Sequence, residues 1–247
     1  MPSRRVALLG LAATLVILGV VAVAVVVLND DDSAAQDGAA EPVDLAVVGD
    51  SFAEQSKDAI LAMGDDADLT TTVYAFGGSS LCAWFPQLGD LRAAPPRMLV
   101  LSFAGNIFQE CVNPTCAEEC QDQDPAVTAA KYREHLDLVL ALFASTPTEV
   151  YVVSPPPIAD PLLAPHAEAM RTMYQEAHAA HPELHVIDSA TQLDPEGQGY
   201  APTLPCTPAD DCPAGQDEVT VRQDDQIHLT EAGARRYAQA IFDALDL

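Results

Sequence analysis

Ser51, Asp225 and His228 are the residue types of nucleophilic acyl transfer, and their sequence surroundings suit that chemistry. Ser51 follows Gly49 and Asp50, where an apolar run ends and an amphipathic stretch begins. Gly49 permits a tight backbone path, and the first turn of a following helix offers free N–H groups and a positive dipole end to a developing oxyanion. A serine hydroxyl needs a base near neutral pH. His228, just ahead of a helix start at Thr230, lies in a loop from which its imidazole can return over a sheet edge. Asp225, three residues earlier, is placed to hold one ring nitrogen while the other faces Ser51. Gly78 and Asn106 follow two other apolar runs, and a backbone N–H and a side-chain amide there are suitable donors to a tetrahedral oxyanion.

Such groups must be brought together by the elements around them. Five short, uniformly apolar runs read as strands buried on both faces: Leu45 to Val48, Thr71 to Phe76, Met98 to Phe103, Val150 to Val153 and Val186 to Ile187. Helical periodicity occupies Phe52 to Met63, Ala126 to Ala144, Pro161 to Ala180 and, last, Thr230 to Leu245. Strand and helix alternate, which predicts an α/β fold, a three-layer α/β/α sandwich around a five-stranded, mostly parallel sheet. Ligands of such sheets gather beyond the C-terminal strand ends, where Ser51, Gly78 and Asn106 fall.

Other clusters point to structure. His166, His178, His181 and His185 lie on or beside one predicted helix with no carboxylate at ligand spacing. Asp65, Asp66 and Asp68 lack the loop glycine and terminal glutamate of an EF-hand, and Asp30 to Asp32 border an apolar run. Cys111, Cys116 and Cys120 lack the paired spacing of a closed zinc site. Neither a metal nor a cofactor is expected. Trp84, Phe85 and Ile107 to Val112 fall near the inferred pocket, either lining a subsite or covering the sheet edge. The Pro-rich stretch from Asp194 to Asp224 is long enough to form a lid.

Residues 6–28 are an unbroken apolar run that, as a helix, spans about 35 Å, enough for a hydrocarbon core of about 30 Å. Arg4 and Arg5 precede it and Asp30 to Asp32 follow, so the expectation is a cytoplasmic tail (1–5), a single-pass signal anchor (6–28) and an exported remainder. A cleaved signal peptide, giving a secreted protein, is the competing expectation. Residues 29–42 read as a flexible acidic linker, leaving one domain at 43–247. Eleven Lys and Arg against 37 Asp and Glu give a formal charge of -26, which excludes recognition of a nucleic-acid backbone. All six cysteines follow the apolar run and read as disulfides of an exported domain. Cys206 and Cys212 are expected to pair, while Cys82, Cys111, Cys116 and Cys120 allow three connectivities.

From Asp44 to Leu247 the chain resembles the SGNH or GDSL hydrolase superfamily, of flavodoxin-like fold. Val48-Gly49-Asp50-Ser51 resembles its first block, Gly78, or nearly as well Gly77, its second-block glycine, and Asp225-Gln226-Ile227-His228 its last. Leu229 to Ala234 is similar to the start of the family's final helix. The third block, usually Gly-x-Asn-Asp, is matched only partly by Ala104-Gly105-Asn106-Ile107. The resemblance implies Ser51 as nucleophile, Asp225 and His228 as its partners, and an oxyanion hole of the Ser51 N–H, Gly78 and Asn106. It implies a serine esterase acting through an acyl-enzyme on an acyl ester. Likeness to the extracytoplasmic SGNH domains that accompany cell-envelope acyltransferases favours O-acylated envelope carbohydrate. An O-acetyltransferase, or a catalytically silent envelope binding module, is the alternative.

Overall fold

The computed structural model describes residues 43–114, 123–245 and 247. The expected tail, anchor and linker, together spanning 1–42, and Cys116 and Cys120 lie outside the described residues. Among the described residues no helix is long and apolar enough to cross a membrane.

The elements run β1 (Leu45–Gly49), α1 (Ser51–Asp66), β2 (Thr71–Ala75), a 3-10 turn (Leu81–Trp84) leading into α2 (Phe85–Ala93), β3 (Met98–Ser102), α3 (Pro125–Phe143), β4 (Glu149–Ser154), α4 (Ala164–Ala180), β5 (Leu184–Asp188), α5 (Ala190–Leu193), β6 (Thr203–Pro205), β7 (Glu218–Thr220) and α6 (Glu231–Ala244). The main sheet has the order β2-β1-β3-β4-β5, with every pairing parallel. This is the flavodoxin-like order, with a reversal between β1 and β3.

The alternation of β1 builds both cores at once. Leu45 and Val47 pack with Phe52 and Ile60 of α1 and Tyr237 and Ile241 of α6. Ala46 and Val48 pack on the opposite face with Leu88 of α2, Tyr132, Leu136 and Val139 of α3, and Met170 and Tyr174 of α4. Each fully buried aliphatic or aromatic side chain contributes about 1.5–3 kcal/mol, so the continuous apolar runs of β1 and β3 set the centre of the fold. Helix starts are capped as their sequences require: the side chain of Asp50 accepts from the Phe52 amide, Asp124 from the Ala126 amide and Thr230 from the Gly233 amide.

Sequence patterning leaves α2 unassigned, because nine residues containing Gly89 and no sustained apolar stripe carry little helical signal. It also leaves out the antiparallel β6–β7 hairpin inside the Pro-rich stretch, whose strands are three residues each. That stretch is pinned to α6. Arg236 reaches Asp210 with Nη2–Oδ2 at 2.6 Å and Nε–Oδ1 at 3.2 Å, and also donates to the Pro205 carbonyl. Cys206 is bonded to Cys212 beyond the hairpin strand β6.

Candidate active site

Ser51 is the first residue of α1, and Gly49 explains how the chain gets there. A Cβ at Gly49 would stand 2.6 Å from both Ala53 Cβ and the Ser102 carbonyl oxygen, so only a residue without a side chain lets β1 turn into α1 against β3. Asp50 is inaccessible to solvent. Its Oδ1 accepts from the Phe52 amide at 3.1 Å, and its Oδ2 accepts from the Ala104 amide at 2.8 Å and from Asn106 Nδ2 at 3.1 Å. Burial pushes the Asp50 carboxyl from the ordinary 3.8 up to about 6, against the opposing pull of the Ala104 and Phe52 amides and the charge of His228.

Asn106 is held from four directions. Its Nδ2 donates to Asp50 and, at 3.1 Å, to the Ser79 carbonyl; its own carbonyl accepts from Ser80 Oγ and from the Tyr132 hydroxyl, each at 3.1 Å. Burial holds the Tyr132 hydroxyl far above its usual range, so it stays a donor. The Cys82–Cys111 disulfide ties the loop after β2 to the loop after β3. Gly77 and Gly78 differ in their amides. Gly77 N–H donates to Glu54 Oε2 at 2.8 Å, whereas Gly78, at φ +74°, lines the cavity and its amide has no partner among the described residues.

His228 Nδ1 lies 2.5 Å from Asp225 Oδ2, which fixes Nδ1 as the protonated nitrogen and leaves Nε2 for an acid–base role. Asp225 Oδ1 also accepts from the amides of Ile227 and His228 at 3.0 and 2.9 Å. Partial burial works to raise the Asp225 carboxyl, but the His228 amide, the His228 ring and the Ile227 amide outweigh it and hold it below the usual carboxylate range. The turn is tight enough to force Gln226 to φ +65°, an uncommon conformation for a residue other than glycine. Two side chains brace this loop. Gln55, one turn after Ser51 on α1, accepts from the Leu229 amide at 2.9 Å. Arg222, almost wholly buried, donates to the Ile227 carbonyl at 3.0 Å and the Pro157 carbonyl at 2.8 Å.

Ser51, Gly78, Asn106 and His228 line one cavity of about 350 Å³, with Asp225 behind His228. The Ser51 hydroxyl has no hydrogen-bond partner among the described residues. The other sequence candidates fall elsewhere. No residue of 194–224 lines the cavity, so the stretch weighed as a lid braces α6 instead. Trp84 donates to Ser79 Oγ at 2.9 Å and, with Phe85, packs on the core; of Ile107 to Val112 only Phe108 reaches the cavity. His166 bonds Thr128 Oγ1, His178 donates to the Leu184 carbonyl and His185 stacks on Tyr151. Among the described residues no cluster of His, Cys, Asp or Glu is arranged to hold a metal ion. Sequence reasoning missed Gln55, Arg222 and the link from Asp50 to Asn106. Asp50, at the N-cap position ahead of Ser51, and Gln55, four residues after Ser51 on the same helix, carried a positional signal, and Arg222 carried none.

A model of the family described as a protein of unknown function (DUF459) matches residues 44–244. No curated protein matches the chain. Solved structures share its fold at low identity. A member of the lipolytic protein G-D-S-L family from Veillonella parvula DSM 2008 aligns with TM-score 0.55 and 17% identity over 81% of this chain and 97% of that one. The catalytic domain of peptidoglycan O-acetyltransferase A from Streptococcus pneumoniae aligns with TM-score 0.51 and 15% identity, covering 81% and 91%. A variant of the acetyl-xylooligosaccharide esterase Axe2 from Geobacillus Stearmophilus aligns with TM-score 0.57 and 13% identity, covering 83% and 94%. The fold is therefore that of the SGNH or GDSL proteins.

Proposed function

The chain belongs to the DUF459 family, and from that premise and the geometry of its site we propose that it is a serine esterase acting through an acyl-enzyme on Ser51. The observation that carries the proposal is the Asp225–His228 pair, whose free Nε2 belongs to a residue lining the same cavity as Ser51. Ser51 Oγ attacks the ester carbonyl carbon as its proton passes to His228 Nε2. The carbonyl oxygen becomes an oxyanion beside the amides of Ser51 and Gly78 and the Asn106 side chain. Collapse breaks the bond to the alcohol, which leaves with the proton from His228, and Ser51 is acylated. Water then attacks the acyl-enzyme with His228 as base, releasing the acid and restoring the hydroxyl. A sugar hydroxyl in place of that water would give transfer rather than hydrolysis, and the fold shared with a peptidoglycan O-acetyltransferase domain keeps that second acceptor in view.

The expected substrate is an O-acylated carbohydrate of the cell envelope, the catalytic domain being exported and held by residues 6–28. What supports this setting is the apolar run with its flanking charges and the disulfides Cys82–Cys111 and Cys206–Cys212, which persist outside the cytosol. The test is labelling with a fluorophosphonate probe together with turnover of p-nitrophenyl esters by the wild type and Ser51→Ala. Labelling and turnover that both vanish in the variant support the assignment, and equal labelling of the two proteins overturns it.

A further inference from the structure

Along the sheet edge Gly78 follows β2, Ser51 follows β1, Asn106 follows β3, and residues 155–163 follow β4. The cavity changes character in that order. Beyond Asn106 its wall is Phe108, Ile158, Leu162 and Leu163, with Asp160 among them, joined by Ile227 from the His228 loop. Part of the polar complement of this wall is engaged within the protein. Asp160 Oδ1 accepts from the amides of Leu162 and Leu163 at 3.0 and 2.8 Å, and the Ala159 amide donates to the Gln226 carbonyl at 3.0 Å. Five of its six side chains, all but Asp160, offer an occupant hydrocarbon.

The geometry points to an acyl subsite: Phe108, Ile158, Leu162, Leu163 and Ile227 receive the aliphatic chain of an ester whose acyl group is longer than acetyl, in the butyryl to octanoyl range. The inference rests on the Ser51 reading above and adds the acyl class of the substrate. A cavity of about 350 Å³ is an order of magnitude larger than the ~30 Å³ of a water molecule, and an acetyl methyl is of about that size. An acetyl group would leave the wall uncovered. Phe108, 49% exposed, stands where a chain could cover it. A sugar is the poorer occupant, because hydroxyls laid on the five apolar side chains would lose water without finding partners there. On the Gly78 side the neighbouring polar group is the Glu54 carboxylate, which accepts from the Gly77 amide just outside the cavity lining. The chain therefore belongs to the acyl side of the ester.

The experiment compares kcat/KM of the full-length chain on p-nitrophenyl acetate, butyrate, hexanoate and octanoate, and on methyl, butyl and hexyl acetates. Burying methylenes on the wall should raise kcat/KM about fourfold for each one added up to hexanoate, with little response to alcohol length. Leu162→Trp and Ile158→Trp fill the subsite and should lower the hexanoate-to-acetate ratio at least about tenfold. Leu162 is only partly buried, so its variant tests the subsite without burdening the core. A flat or falling acyl profile overturns the subsite while leaving the esterase reading intact, and a rate set by alcohol length overturns it in favour of an apolar alcohol. If no ester is turned over, the esterase reading falls and the subsite is judged by binding. Hexanamide added to Ser51→Ala should then shift the methyl NMR signals of Ile158, Leu162 and Leu163 to saturation where acetamide does not, and equal or absent shifts overturn it.

Discussion

Asp50 and Asn106 are joined across two strand ends, Oδ2 of one accepting from Nδ2 of the other at 3.1 Å. The second Nδ2 hydrogen goes to the Ser79 carbonyl, so an oxyanion must displace that carbonyl, whereas the Asp50 bond can persist through the reaction. Asn106→Ala should lower kcat by roughly 10²–10³ with little change in KM, the signature of a donor used in the transition state. Asp50→Asn keeps the shape but removes an acceptor of two donors, and it should lower kcat less. Steady-state kinetics on one ester decides between them. An unchanged kcat in Asn106→Ala would leave the residue as a staple between loops and the two backbone amides as the oxyanion hole.

The same carboxyl gives stability a pH dependence. Asp50 binds its proton more tightly folded, at about 6, than unfolded, near 3.8. Its contribution is therefore fully present below about pH 3.8 and is lost as pH rises through about 6, a change of about 3 kcal/mol. Asp210 works in the opposite sense: beside Arg236 its carboxyl is held at about 2, against the effect of burial, so the stability it confers is present above about 3.8 and is lost as pH falls through about 2. Chemical denaturation between pH 4 and 7 should show stability declining in the wild type and flattening in Asp50→Asn. Parallel slopes in the two proteins would show that Asp50 ionises in the folded state as it does unfolded.

His228→Ala should be as damaging to turnover as Ser51→Ala, and the double variant little worse, because a nucleophile and its base fail together. Asp225→Asn should cost less than either, since the Ile227 and His228 amides still shape the turn around residue 225. Additive losses in the double variant would mean that His228 acts elsewhere.

Legibility in the sequence followed physical locality. β1 and β3 were readable because both of their faces are buried and every residue is apolar or small; β5, an edge strand with His185 and Asp188 exposed, showed only its centre. The Asp225–His228 relation was readable because three residues of chain enforce it. The Asp50–Asn106 bond was not, since its partners stand 56 residues apart and meet only when β1 and β3 pair in register. The apolar wall after β4 was hidden for the same reason: Ile158, Leu162 and Leu163 form part of a predicted helix and its approach until Gln226 and Arg222 fasten that loop beside His228.

Cys82 and Cys111 were one pairing among those that cysteine spacing allowed, and the pairing has a consequence that Cys206–Cys212 lacks. It closes 29 residues of chain and joins the loops that carry Gly78 and Asn106. Loop closure of that length is worth about 3–4 kcal/mol in the chain-entropy model, against about 2 for the six-residue separation of Cys206 and Cys212. Replacing both members of either pair by serine should lower Tm, more for the longer loop. Only the Cys82→Ser, Cys111→Ser protein should also lose kcat, because its two oxyanion loops are then free to separate. Thermal unfolding and ester kinetics, measured on both double variants at a temperature where each remains folded, provide the comparison. Equal loss of kcat in the two would mean that the disulfide near the site contributes stability alone.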